Sequence, residues 1–172
     1  MSFFQKLLHK QPAPTRPHFE HLEPMLTFLA GIGLPVREEH FREKSFLPGI
    51  LIRNGQLVID RARLLYPGDV LHEAGHLAVT PADQRPGLQA DIAASNPERA
   101  GDELAVQLWS YAASLHLSIP PEVVFHPAGY KGDADWLLGQ YQRGSYPGLP
   151  LLAWMGLTTN EGFPAMTRWV RA

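Results

Sequence analysis

Residues 49–79 read GILIRNGQLVIDRARLLYPGDVLHEAGHLAV, and they contain the strongest structural signals of the chain. Two β-rich runs flank Asn54-Gly55, a dipeptide that supplies the positive φ angles of a tight hairpin turn. A helical pattern follows, and Asp69 is expected to cap its start. Thr80-Pro81 should end this helix because a residue before proline is pushed out of helical geometry. A hairpin followed by a helix predicts an α+β fold.

Two further helices are predicted on either side of this stretch. The first runs from about Phe19 to Ala30, with one apolar stripe formed by Leu22, Met25, Leu26 and Leu29. The second lies within residues 98–117, where the expected buried stripe is Leu104, Leu108, Tyr111 and Leu115. Shorter helical patterns follow at residues 133–142 and 150–156. We expect a single domain over residues 19–172, preceded by a flexible proline-rich arm at residues 1–18.

The composition excludes several classes of function. The chain has 172 residues and a formal net charge of −2, and this near-neutrality argues against a nucleic-acid-binding surface. No apolar run approaches the ~18–20 residues that a membrane span needs, and the first residues lack the features of a signal peptide. We therefore expect a cytoplasmic protein. There is no cysteine, so any bound metal must be held by His, Asp and Glu.

Within the central stretch, residues 72–76 read HEAGH and place two imidazoles four residues apart on one helix. Residues i and i+4 lie on the same helix face, so both rings can direct a nitrogen at one ion. Glu73 projects beside the pair, where its carboxylate can reach a water on that ion without binding the ion itself. The pattern predicts one Zn²⁺ site, with His72 and His76 as ligands and Glu73 as general base.

A catalytic zinc ion has three protein ligands and one open position, so a third ligand must come from another segment. The candidates are the acids at the start of the 98–117 helix, namely Glu98, Asp102 and Glu103. Glu103 is favoured because it directly precedes the apolar stripe and should lie at the edge of the buried face. Asp102 or Glu98 is the alternative ligand, or a partner that orients a histidine.

The segment at residues 125–132, FHPAGYKG, offers polar groups for the same site. Zinc peptidases need a donor to the oxyanion that forms when water adds to a carbonyl, and His126, Tyr130 or Tyr111 has a suitable group. The alternative is that His126 caps a turn and that Tyr130 packs at the surface. His116 and the tryptophans (Trp109, Trp136, Trp154 and Trp169) are expected to be core, interface or structural residues. Four histidines are expected to be exposed, namely His9, His18, His21 and His40.

These motifs resemble the gluzincin group of zinc metallopeptidases, and the ImmA/IrrE type is the most similar in spacing. The resemblance covers about residues 50–118 and rests on HEAGH and on a helix about 27 residues later. That helix bears Glu103 and continues with Ala105, Trp109, Ala112 and Ala113. The resemblance implies that His72, His76 and Glu103 bind zinc. An alignment on the helix alanines would instead make Asp102 the ligand.

The whole chain also resembles an uncharacterised bacterial protein group, through PGDVLHEAGHLAV, GDELAVQLWSYAA, FHPAGYKG and GLPLLAWMGL. We expect a compact zincin-like zinc hydrolase that acts on a peptide or small amide. Its aromatic carboxyl-terminal segment is compatible with an oligomer. The strand near Gln56–Asp60 would offer its edge to an extended peptide. The alternative is a metal-binding sensor or structural domain, in which a fourth protein ligand such as His126 closes the site. An interaction domain without metal is a third hypothesis.

Overall fold

The computed structural model describes residues 16–89 and 101–172. In this part of the chain it has five α-helices and three β-strands: α1 (Leu22–Gly31), β1 (Arg37–Glu38), β2 (Ile50–Arg53), β3 (Gln56–Ile59), α2 (Gly68–Val79), α3 (Asp102–His116), α4 (Ala134–Gln142) and α5 (Leu149–Trp154). Helices that pack with a small mixed sheet confirm the predicted α+β class. Within the described ranges, no helix is both long enough and apolar enough to cross a membrane.

The sheet has the strand order β1-β3-β2, so β3 is its central strand. β2 and β3 form the predicted hairpin, in which Asn54 and Gly55 have φ angles of 51° and 72°. Side chains alternate between two apolar layers. Leu51 and Val58 pack with Phe41 on one face, and the other face joins the main core through Ile50, Ile52, Leu57 and Ile59.

The expectation that β3 offers its edge to a peptide is wrong. β1 runs parallel to β3, with Arg37 opposite Val58 and Glu38 opposite Ile59. The sequence patterns did not indicate β1, because it has only two residues and both are exposed. Its pairing covers the edge of β3, and β2 is an edge strand instead.

α2 begins one residue before the predicted cap. Pro67 precedes the helix with helical φ and ψ and makes no side-chain cap, so the predicted N-cap at Asp69 is wrong. Asp69 is the second residue of the helix, and its buried carboxylate is hydrogen-bonded to His126. The predicted end is confirmed, since α2 stops at Val79 and Thr80 is extended, with a ψ angle of 133°.

α3 crosses α2 and supplies a large part of the core. The predicted stripe on α3 is half wrong, because Leu108 and Tyr111 are buried whereas Leu104 and Leu115 are 42% and 39% exposed. Small residues and one tryptophan complete the buried face of α3, including Ala105, Trp109, Ala112 and Ala113. The leucine spacing missed this face because much of it consists of small residues, which a pattern of large apolar residues does not detect. These small side chains allow the close approach of the two helices.

The four tryptophans divide into two pairs. Trp109 is fully buried, its ring packs edge to face against Trp169, and its N–H donates to the Trp169 carbonyl at 2.8 Å. Trp136 and Trp154 are 59% and 72% exposed, so these two are not core residues.

The remaining histidines lie near the surface or at its edge. The side chains of His18 and His40 are exposed as expected, whereas that of His21 is only 24% exposed. His116 packs against the rings of Phe28 and Trp169. His9 and most of the predicted arm lie outside the described residues; Arg16, at the end of the arm, donates to the Arg61 carbonyl at 2.8 Å.

Gly68 determines how closely α2 approaches residues 121–124. A Cβ at Gly68 would lie 1.9 Å from the carbonyl oxygen of Val123, and this backbone atom cannot move aside as a side chain would. We expect Gly68→Ala to lower the free energy of unfolding by about 1–3 kcal/mol, the usual effect of overpacking. Gly31→Ala is the matched control, because Gly31 is also helical but has open space around it. Thermal unfolding should show a lower Tm for the first variant only, and equal losses would contradict this explanation.

Candidate metal centre

α2 and α3 bring His72, His76 and Glu103 together. The Nε2 atom of His72 lies 3.5 Å from Oε1 of Glu103, and Nε2 of His76 lies 3.4 Å from Oε2. These separations exceed the about 2.9–3.0 Å of a typical N–H···O hydrogen bond. Each histidine lies nearest a different oxygen of the same carboxylate, and one ligand atom from each of the three residues lies within 4.8 Å of the other two. The three side chains are therefore close enough together to hold one ion.

The close packing of α2 and α3 brings Glu103 near the two histidines. Gly75 lies against α3, where a Cβ would be 2.9 Å from Cγ1 of Val106. Glu103 precedes Val106 by three residues, so it lies on the same face of α3, one turn nearer the start of the helix. The close approach at Gly75 thus carries the Glu103 carboxylate to the histidine pair.

The three side chains are only partly shielded from solvent. His72 and His76 are 15% and 11% exposed, and Glu103 is 37% exposed. Burial lowers the pKa of His72 to about 4, and the negative charge of Asp69 opposes this shift only in part. The His72 imidazole is therefore neutral at pH 7, the form that binds metal ions.

Tyr130 contacts the other ring nitrogen of His72. Its hydroxyl oxygen lies 3.2 Å from Nδ1 of His72, and the two rings meet edge to face with their centroids 5.5 Å apart. Burial raises the pKa of Tyr130 well above its usual value, and the charges of Asp69 and Glu103 add to the shift. The phenol therefore remains protonated at neutral pH.

His126 is joined to α2 through Asp69. Its Nε2 lies 2.8 Å from Oδ1 of Asp69, and its ring stacks on Tyr66 with the centroids 4.0 Å apart. Its Nδ1 is buried and has no hydrogen-bond partner among the described residues. His126 does not belong to the group of ligand atoms. The pair anchors the 125–132 segment to α2, one turn before His72.

The remaining residues predicted for the site are Asp102, Glu98, Glu73 and Tyr111. Asp102 begins α3 and lies outside the group formed by His72, His76 and Glu103. Glu98 lies outside the described residues. Glu73 is half-buried, and its charge contributes to the raised pKa of Tyr130, so the two side chains are neighbours. Tyr111 is buried in an aromatic cluster with Phe125, Tyr141, Tyr146 and Phe163.

Two contacts of the site were not anticipated from the sequence. Gln107 donates a hydrogen bond from Nε2 to Oε1 of Glu103 at 3.3 Å. The i, i+4 spacing of these residues on one helix was the signal that could have found this contact. The contact of Asp69 with His126 had no local signal, because 57 positions separate the two residues.

A second group with metal-ligand chemistry lies at the surface and consists of His18, Glu20 and His21. Oε1 of Glu20 lies 3.9 Å from Nδ1 of His18 and 3.6 Å from Nε2 of His21. The Glu20 side chain is 67% exposed. We expect weaker metal binding here than at the α2–α3 group, so binding measurements must separate the two.

Comparison with known proteins assigns no family. No family model matches the chain, and neither the curated proteins nor the solved structures contain a match. The protein therefore has an α+β fold with a candidate metal centre of two histidines and one glutamate. The geometry of this centre is the basis for the function proposed below.

Proposed function

We propose that the protein is a zinc-dependent metallohydrolase with a peptide or small amide as substrate. The single observation that carries the proposal is the spacing of 3.4–3.5 Å between the histidine nitrogens and the Glu103 carboxylate. Two imidazoles and one carboxylate are a ligand set of catalytic zinc ions, which keep a fourth position open. Within the described residues the group consists of these three side chains.

A zinc ion bound there would polarise a substrate carbonyl and lower the pKa of a water molecule to ~7. His72, His76 and Glu103 would hold the ion. Glu73 would accept the proton of the attacking water on its carboxylate and return it to the leaving amine. Of the two favoured oxyanion donors, Tyr130 lies beside a ligand, whereas the Nε2 of His126 is engaged by Asp69.

Peptide cleavage tests this proposal. Zinc-loaded protein is incubated with a mixture of peptides of defined sequence, and the products are identified by mass spectrometry. We expect cleavage products that form with zinc and disappear after treatment with 1,10-phenanthroline. Protein that binds zinc but cleaves no peptide or amide would support a sensor or structural domain. Protein that binds no zinc would overturn both metal-based functions.

A further inference from the structure

We infer that Tyr130 is a positioning residue that fixes the orientation of the His72 ring and so strengthens metal binding at the α2–α3 group. This inference rests on the proposed function, because it concerns the same group of ligands. It differs from an oxyanion role, since Tyr130 acts here through His72 and not on a substrate.

Metal binding would determine which nitrogen of His72 carries the hydrogen. If Nε2 of His72 binds a metal ion, Nδ1 must carry the hydrogen of the neutral ring. The Tyr130 oxygen, 3.2 Å away, is then the acceptor of the Nδ1–H. Histidine ligands regularly donate their second N–H to such an outer partner, which orients the ring. Without the hydroxyl, a largely buried N–H would lose this acceptor.

Two contacts of the surrounding segment hold that hydroxyl in position. The Tyr130 ring stacks on buried Phe125 with the centroids 4.8 Å apart and an interplanar angle of 23°. The segment that carries both rings is attached to α2 by the hydrogen bond of His126 with Asp69. Since Asp69 and His72 are one helical turn apart, the segment contacts the same face of α2 twice.

The backbone at Tyr130 adopts a conformation that most residues avoid. Tyr130, Lys131 and Gly132 have φ angles of 53°, 54° and 89°, so three successive residues are left-handed. Non-glycine residues rarely adopt this region, and they remain in it only where the surrounding structure holds them there. Glycine or asparagine would adopt this backbone more readily, but neither side chain has a phenol. The strained turn brings the hydroxyl to His72, and this supports a functional reason for the tyrosine.

Tyr130→Phe tests the inference, because it keeps the ring that stacks on Phe125 and removes only the hydroxyl. The measurement is zinc affinity by competition with a chromophoric chelator, in a His18→Ala/His21→Ala background that removes the surface group. We expect the zinc Kd to rise about 10–100-fold, the usual effect of losing an outer partner of a ligand. Tyr146→Phe is the control: this half-buried tyrosine packs on Phe163 in the aromatic cluster, and its loss should leave the Kd unchanged.

A second measurement separates positioning from a general structural role. In the zinc-loaded background protein, ¹⁵N NMR should show the His72 ring with its hydrogen on Nδ1 and slow exchange of that hydrogen, and Tyr130→Phe should accelerate the exchange. Without metal, the background protein and its Tyr130→Phe variant should unfold at the same temperature. Equal zinc affinities of the background protein and Tyr130→Phe would overturn the inference and leave the proposed function intact. A background protein that binds no zinc would overturn both.

Discussion

Replacement of Glu103 by alanine should abolish tight zinc binding. In the proposed site the carboxylate would supply one of three ligands, and its two oxygens lie 3.5 Å and 3.4 Å from the nitrogens of His72 and His76. Loss of a ligand should exceed the ~10–100-fold loss of affinity that removal of an outer partner causes. We therefore expect a zinc Kd more than 100-fold higher, measured by chelator competition on metal-stripped protein in the His18→Ala/His21→Ala background.

Asp102→Ala is the matched control for Glu103→Ala, because it removes the neighbouring acid from the same turn of α3. We expect its effect on the zinc Kd to be clearly smaller. If Asp102→Ala loses zinc while Glu103→Ala retains it, Asp102 is the ligand and the assignment of Glu103 is wrong. Thermal unfolding gives an independent check, since zinc at 100 times its Kd should stabilise the unsubstituted protein by about 2.7 kcal/mol. Glu103→Ala should lack this stabilisation.

Glu73→Gln should retain zinc and lose turnover. Glutamine has the size of glutamate, so α2 and its two histidines keep their positions, but a neutral amide cannot accept the proton of the attacking water. General base catalysis contributes about 10²–10⁴-fold, so we expect kcat on a cleaved peptide to fall by that factor. The zinc Kd should change far less than in Glu103→Ala.

Glu161→Gln serves as the control for Glu73→Gln, because Glu161 is an exposed glutamate outside the ligand group. Its turnover should equal that of the unsubstituted protein. Unchanged turnover of Glu73→Gln would exclude Glu73 as the base. A simultaneous loss of zinc and turnover would show instead that Glu73 is needed to hold the metal.

The parts of the fold that were predicted from sequence depend on local interactions. The hairpin follows from the positive φ angles that Asn54-Gly55 supplies, and the end of α2 follows from the effect of Pro81 on Thr80. The histidine pair on α2 likewise needs only helix geometry. These features are determined within a few residues, so their sequence patterns are informative.

The errors arose where distant residues determine the structure. Asp69 has the chemistry of an N-cap, but its carboxylate is hydrogen-bonded to His126, far along the chain. The two-residue strand β1 exists because it pairs with β3, and nothing in its own sequence favours a strand. Pairing and burial of this kind follow from the fold as a whole.

Glu103 was favoured for a reason that the structure does not support. It was predicted to lie at the edge of a buried stripe that opens at Leu104, yet Leu104 is 42% exposed. Glu103 reaches the histidines because Gly75 lets α3 approach α2 at Val106. The relevant sequence signal was the glycine inside HEAGH and not the leucine repeat.

The most direct measurement of the central claim is anomalous X-ray diffraction at the zinc edge from crystals of the zinc-loaded protein. We expect a strong peak at about 2.0–2.2 Å from Nε2 of His72, Nε2 of His76 and a carboxylate oxygen of Glu103. Zinc that occupies only the His18, Glu20 and His21 group, with no density between α2 and α3, would contradict it.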